Sequence, residues 1–340
     1  MTDLTDIALP HALAEARALA AAPTVDTSPL ARAAALFDLG AHHRVLVSGK
    51  DRVRFLHAML SNDVSKLEVG AGRWATFNSV QGRTLSDVRL FNLDDDRKTG
   101  RLLALLEPGA RDAFVEGLDH FVISEKVFFE DDEGGALWLL AGAGVDAVVA
   151  AAGGELPASE LFAHRPSTIG GKPVHLLRLD RSRREVGDLG LWMRIEDQEA
   201  VLGALGDVRR GDALELEAAR VESGQIRFGL DITAANIPLE AGLKDRAISF
   251  TKGCYIGQEV ICRIDSLGKP ARALVRLEVA GTAPQPGQDL ERDGKVVGWV
   301  TSVRPTAAGA SAFGYVKKRN HDPGTELQAG EATAVVGEPL

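Results

Sequence analysis

Cysteine, positive charge and long apolar runs are all scarce in this sequence, and each shortage excludes a class of protein. Two cysteines, Cys254 and Cys262, are too few for a disulfide framework and suit a reducing compartment. The net charge of −9 argues against a general nucleic-acid binder, because neutralising phosphates requires clustered cations. No apolar stretch is long enough to span a membrane, and the acidic first residues are unlike a signal peptide. We therefore expect a cytoplasmic protein without nucleic-acid or membrane partners.

The length of 340 residues and the hydrophobic content of 45% predict two or three domains with sizeable cores. Residues 1–30 are alanine-rich and broken by prolines, which indicates a peripheral N-terminal segment. Lys269 and Pro270 are typical of the start of a linker. Beyond them, strand-like runs at 274–279, 296–303 and 313–316 alternate with glycine and proline turns, which predicts a small β-barrel.

Between these two regions the pattern favours an α+β fold with antiparallel sheets over a doubly wound fold. Strands are predicted over 73–78 and 84–91, and the second of them contains Asp87. Carboxylates are depleted in strand interiors, so Asp87 needs a reason to be there. One alternative is an edge strand whose aspartate faces water. The other is a carboxylate that hydrogen-bonds or protonates a ligand nitrogen.

The densest group of reactive side chains is in residues 252–259, which read Lys-Gly-Cys-Tyr-Ile-Gly-Gln-Glu. Glycines on both sides of the Cys-Tyr-Ile run permit a tight turn and close approach of another chain or a ligand. A cation such as Lys252 near a thiol favours the thiolate, which is the nucleophilic form. The alternative is that Cys254 is a small buried hydrophobe, as many lone intracellular cysteines are.

This run, with Arg263 four residues beyond it, resembles the signature of the YgfZ-type folate-binding proteins. That family is related to the glycine-cleavage T-protein and includes a mitochondrial iron–sulfur assembly factor. The resemblance extends from about residue 36 to the C-terminus. It implies an α+β fold with a T-protein-like folate-binding domain over 31–268, in two interlocked halves of roughly 31–135 and 136–268. A C-terminal β-barrel over 269–340 would follow.

The resemblance also implies a ligand, which is tetrahydrofolate or a one-carbon derivative, held around a central cavity. Asp87 matches the second of two consecutive aspartates in T-proteins, the one that faces the folate. Cys254 would be the functional thiol. The residues expected to bind the folate are Asp87, Arg220, Lys252, Tyr255, Gln258, Glu259 and Arg263. No metal site is expected, since no set of His, Cys and carboxylate residues has metal-ligand spacing.

The chain departs from the T-protein pattern at Gly40 and Ala41, where that family usually has Ser-His, and at three positions of the expected folate site. Ser86 replaces the first aspartate, Trp192 replaces a glutamate that helps to hold the pterin, and Leu216 replaces an arginine that meets the folate tail. The tail would then need another cation, for which Arg220, Arg227 and Lys252 are the candidates. These departures weaken the case for T-protein chemistry.

Three classes of function remain open. The first is a tetrahydrofolate-binding accessory factor for the assembly or repair of iron–sulfur clusters in client enzymes, which the signature favours. The second is a folate-dependent aminomethyl- or methyltransferase, which Asp87 favours. The third is a thiol-exchange or interaction protein with a vestigial folate pocket.

Overall fold

Two β-sheets and a closed barrel form the framework of this computed structural model, which describes residues 4–96, 98–180, 188–268 and 270–340. In chain order the strands are β1 (Ala34–Asp38), β2 (His43–Ser48), β3 (Gly72–Asn78), β4 (Thr84–Asn92), β5 (Leu102–Leu106), β6 (Phe128–Asp131), β7 (Gly135–Gly142), β8 (His164–Ile169), β9 (Lys172–Leu179), β10 (Asp188–Arg194), β11 (Arg209–Arg210), β12 (Arg272–Ala280), β13 (Asp289–Arg292), β14 (Lys295–Thr306), β15 (Gly309–Lys317), β16 (Glu326–Ala329) and β17 (Ala332–Pro339). The helices are α1 (Pro10–Ala21), α2 (Arg52–Met59), α3 (Arg111–Asp119), α4 (Val145–Ala151), α5 (Gln198–Ala204), α6 (Ala213–Ser223), α7 (Lys244–Ala247) and α8 (Gln258–Ser266).

The smaller sheet has the order β3-β4-β5-β2-β6, and its pairs are antiparallel. β4 lies between β3 and β5, and most of its residues are buried on both faces. Asp87 in this strand is 0% exposed, so the alternative of an edge aspartate that faces water is wrong. A carboxylate in such a position needs buried partners.

The larger sheet has the order β11-β1-β7-β10-β9-β8. β1 therefore pairs with β7 rather than with the strands that directly follow it in sequence. Strand β8 contains a proline, Pro166. Because β8 is at the edge of the sheet, Pro166 can sit opposite His175 without removing an interior ladder hydrogen bond.

The barrel is closed by six strands in the order β12-β15-β14-β13-β16-β17. Strands β12, β14 and β15 confirm the three predicted runs, and the other three strands were not predicted. Apolar side chains such as Val275, Leu277 and Val300 fill its interior. Lys269, predicted at the start of the linker, lies outside the described residues. The α+β class with a C-terminal barrel is confirmed.

Helix α6 connects the larger sheet to the barrel. The Asp212 carboxylate caps its first turn by accepting a hydrogen bond from the Glu215 backbone N–H at 2.8 Å. Gly224 ends the helix with a φ of +76°, the left-handed conformation that favours glycine. The buried face of α6 carries Ala218 and Val221 but also Glu217 and Arg220. These two charges, three residues apart, are thereby pointed into the protein.

No helix among the described residues is long and apolar enough to cross a membrane.

Candidate functional site

Residues 252–257 form a loop that leads into α8 and packs against the turn between β3 and β4. Gly257 has a φ of +83°, and a Cβ at this position would lie 2.5 Å from the Ser79 carbonyl oxygen. Both the backbone conformation and the close contact therefore require glycine. On the other side, a Cβ on Gly82 would lie 3.3 Å from Cβ of Val260. The signature loop is thus fixed to the hairpin that carries Asp87.

Lys252 is buried, and its ammonium group lies at the end of α2. It donates hydrogen bonds to the backbone carbonyls of His57, Leu60 and Asn62, the latter two at 2.5 and 3.1 Å. Burial lowers the pKa of Lys252 to about 8, although Asp63 opposes the shift. An ammonium has three donors, so these carbonyls use all of them. The structure thus gives Lys252 a helix-capping position, and Lys252 does not line the cavity described below.

The other predicted residues of the signature divide into a buried and an exposed group. Tyr255 is buried against Ile248 and Ile261, and burial raises the pKa of its phenol. The Gln258 side-chain oxygen accepts a hydrogen bond from the Tyr255 backbone N–H at 3.3 Å, which fixes the loop internally. Glu259 and Arg263 are exposed on α8.

Both cysteines are free thiols, in different settings. Cys254 is exposed on the loop, whereas Cys262 is half-buried within α8. The alternative of a buried Cys254 is therefore wrong. In the described part of the chain, no group of three His, Cys, Asp or Glu side chains is placed to hold a metal ion.

Asp87 is held by two buried donors on its own sheet. Its Oδ2 accepts hydrogen bonds from Trp74 Nε1 and from Arg89 Nη1, both at 2.8 Å. The Arg89 guanidinium also lies 3.8 Å from Glu107 and 3.6 Å from Asp180. Burial alone would lower the pKa of Arg89, but these three carboxylates raise it, so Arg89 stays charged.

A chain of further ion pairs connects Arg89 to residues of α6 and beyond. Glu107 lies 3.4 Å from Arg227 Nε, and Arg227 Nη1 lies 3.4 Å from Glu217. Arg220 then connects Glu217 to Asp231, with N–O distances of 2.7 Å to each. We call this set the buried ion network: Asp87, Arg89, Glu107, Arg227, Glu217, Arg220 and Asp231. It runs from the smaller sheet through α6 to the barrel.

Arg220 uses all of its donors on acceptors within the protein. Its five N–H groups are directed at both Glu217 oxygens, the Gln225 carbonyl, Asp231 and the Ser302 hydroxyl, at 2.5–2.8 Å. Burial alone would raise the pKa of Glu217, but Arg220 and Arg227 hold it below its usual value. Arg220 was predicted to bind the folate tail, and the structure instead commits its donors to protein acceptors.

A cavity of about 500 Å³ opens beside the network, and we call it the central cavity. It is lined by His11, Glu15, Phe37, Asp38, Leu39, Gly40, Ala41, His42, Glu107, Pro108, Gly211, Asp212, Ala213, Leu216, Glu217, Arg220 and Arg227. Of the residues expected to bind the folate, Arg220 reaches its wall, and so does Arg227, another candidate for the folate tail. Asp87 does not line it and lies behind Arg89 and Glu107. None of residues 252–263 lines it.

Sequence reasoning missed several lining residues. Glu107 follows a buried strand without any motif around it. His11 and Glu15 lie on α1, which was predicted to be peripheral but covers one side of the cavity. Glu15 is hydrogen-bonded to Arg227, so α1 is attached to the buried ion network. The one signal in the sequence is the spacing of four residues between His11 and Glu15, which places both side chains on the same face of a helix.

Trp192 lines a second, smaller cavity of about 230 Å³ together with His175. Its indole N–H donates to Asp132 at 2.7 Å. Nδ1 of His164 lies 2.7 Å from Nε2 of His175, so one ring donates and the other accepts. Burial lowers the pKa of both histidines to about 4, and each is therefore neutral at pH 7.

We expect this histidine pair to make stability fall as the pH drops from about 6.5 to about 4. The folded-state pKa values lie below the unfolded value, so the unfolded chain binds more protons in that window and is favoured. Each pKa unit corresponds to about 1.4 kcal/mol per group. Urea unfolding of His175→Gln should show a shallower pH dependence than the parent. His120→Gln, on an exposed histidine, should not differ from the parent. Equal slopes for all three proteins would contradict this expectation.

The fold is that of a T-protein. The glycine cleavage system aminomethyltransferase T from Bartonella henselae superposes with a TM-score of 0.79 and 23% identity, covering 92% of this chain and 87% of that one. The likeness includes the C-terminal barrel, so the predicted architecture is confirmed.

The curated relatives carry different names. The tRNA-modifying protein YgfZ of Pectobacterium carotovorum is 29% identical over 249 residues, 72% of this chain and 70% of that protein. The aminomethyltransferase of Streptomyces coelicolor is 25% identical over 316 residues, 86% of this chain and 81% of that protein. No family model matches the chain. The predicted resemblance is confirmed: the chain is related to the YgfZ-type proteins and to the aminomethyltransferases.

Proposed function

We propose that this protein is a cytoplasmic, tetrahydrofolate-binding accessory factor that assists the assembly or repair of iron–sulfur clusters in client enzymes. The observation that carries the proposal is the separation of two features on a T-protein fold. A cavity is available for a small molecule, and an exposed free thiol, Cys254, lies on a loop outside that cavity.

The central cavity has the size and the lining that a reduced folate requires. Its volume of about 500 Å³ falls within the roughly 300–1,000 Å³ of small-molecule sites. Phe37, Leu39 and Leu216 offer apolar surface to the rings, and Asp38 and Glu107 offer acceptors to the N–H groups of the pterin. Bound tetrahydrofolate would supply nitrogens that carry one-carbon units.

The signature loop supports the second part of the proposal. The tight contact at Gly257 and the hydrogen bond from the Tyr255 backbone N–H to the Gln258 side chain fix the loop, and Cys254 is exposed to solvent on it. Glu259 and Arg263 are exposed on the adjoining helix. An exposed thiol beside charged side chains is suited to contact a partner protein rather than a ligand in the central cavity.

A T-protein-type aminomethyltransferase is the second candidate, favoured by the fold. Such chemistry needs an acid close to the reacting nitrogen. Asp87, the residue predicted for this role, is buried behind Trp74 and Arg89 and does not line the cavity. We therefore expect no robust formation of methylene-tetrahydrofolate from an aminomethyl donor, and such activity in the purified protein would favour this candidate instead.

The proposal is tested by combining binding with genetics. Calorimetry with tetrahydrofolate should show saturable binding, and a strain lacking the gene should lose activity of several iron–sulfur enzymes but not of matched enzymes without clusters. Binding without any such loss would leave a folate protein with another role. Loss of activity without binding would contradict the folate part.

Substitutions of Glu107, which lines the central cavity, and of Asp87, which does not, are expected to affect folate binding to different degrees. Glu107→Gln should weaken tetrahydrofolate binding about tenfold or more, because a charge-assisted hydrogen bond is worth roughly 1.5–3 kcal/mol. Asp87→Ala should weaken it less, since Asp87 acts through Arg89. Calorimetry measures the tetrahydrofolate affinity of both variants. Glu278→Gln, at an exposed position of the barrel, is the control. A larger loss in Asp87→Ala than in Glu107→Gln would place Asp87 in direct contact with the ligand.

A further inference from the structure

The charged side chains of the central cavity are strongly unbalanced. Five carboxylates line it, against two guanidiniums. The acids come from separate elements, with Glu15 on α1, Asp38 at the end of β1, Glu107 after β5, Asp212 before α6 and Glu217 within α6. An anionic group entering this cavity therefore meets like charge from several directions.

The two arginines of the wall are already paired with these acids. Arg220 has each of its five donors directed at a protein acceptor. Arg227 faces Glu15, Glu107 and Glu217. For either guanidinium to bind a ligand carboxylate, it would have to leave a buried carboxylate without its partner, which is costly.

Leu216 adds an apolar surface to the same wall. An aromatic ring system rich in N–H donors suits this combination of apolar surface and carboxylate acceptors, whereas the two carboxylates of a glutamate tail do not.

We propose that the central cavity recognises a reduced pterin by its ring system alone and leaves the anionic tail of folates outside. This inference rests on the proposed function, because it concerns the ligand of the same cavity. It predicts that tailless, monoglutamate and polyglutamate forms bind with nearly equal affinity.

The test is a calorimetric series on the full-length protein with 6-methyltetrahydropterin, tetrahydrofolate and its triglutamate. We expect the three dissociation constants to agree within about threefold. Glu15→Gln removes one acid from the wall and releases Arg227 from that partner. It should tighten the binding of tetrahydrofolate about fivefold and leave 6-methyltetrahydropterin unchanged, whereas Glu331→Gln, on an exposed turn of the barrel, should change neither.

The outcomes distinguish a failure of this inference from a failure of the proposed function. Wild-type binding that is tenfold or more tighter for tetrahydrofolate than for the tailless pterin would overturn this inference and leave the proposed function standing. Tightening of both ligands by Glu15→Gln would also overturn it, since the acid would then not act on the tail. Absence of binding by all three compounds would overturn the proposed function and this inference with it.

Discussion

Replacement of Cys254 by alanine is expected to abolish the restoration of iron–sulfur enzyme activities in a strain lacking this gene. The thiol is exposed on a loop that is held from both sides, and alanine removes the sulfur without disturbing a core contact. Cys262→Ala should still restore the activities. That thiol is half-buried on α8, so its loss should cost some stability rather than function.

The same asymmetry should be visible in the purified protein. A maleimide should alkylate Cys254 quickly in the folded state and Cys262 slowly, because reaction requires an accessible thiolate. Immunoblots of the complementing strains confirm that each variant is present at the parent level. Full restoration by Cys254→Ala, or equal failure of both variants, would remove the special role of Cys254.

Removal of the Asp231 carboxylate is expected to have the largest effect on stability. Its Oδ1 accepts hydrogen bonds from the hydroxyls of Thr301 and Ser302, both at 2.6 Å, and its Oδ2 accepts one from Arg220 at 2.7 Å. The residue is 0% exposed. Asp231→Ala leaves a buried guanidinium short of a counter-charge, and breaking such a pair costs about 3–5 kcal/mol. Urea denaturation of the parent and the variant measures the difference directly.

A surface pair supplies the matched control. Glu155 and Arg165 also form an ion pair, but both side chains are largely exposed. Glu155→Ala should therefore change the free energy of unfolding by no more than about 1 kcal/mol. If both variants lost the same small amount, the buried ion network would not be a major source of stability.

The elements with a clear periodic pattern could be predicted from the sequence. The hairpin of β3 and β4, helix α6 and three barrel strands all follow local alternation or helical spacing. Strand β8 could not, because Pro166 is compatible with a strand only at a sheet edge, and edge position is a property of the assembled sheet.

The candidate site was predicted less well than the fold. The glycines of the signature indicated a tight loop and left both an exposed and a buried Cys254 open, and the structure has the loop with Cys254 exposed. The ion partners of Asp87 and Arg220 come from segments far apart in the chain, so no local pattern reveals them. A charged residue in isolation is more often solvated than buried, and only the folded structure shows that these side chains pair with one another.

The position of β1 also affects how the protein is made on the ribosome. Leu36 of β1 pairs with Leu140 of β7, on the order of a hundred residues later. Synthesis proceeds at about 5–20 residues per second, so β1 of the nascent chain lacks this partner for roughly 5–20 s. The strand is apolar, with Leu36 and Phe37 buried in the finished sheet, so during this interval its unpaired edges are open to incorrect strand pairing.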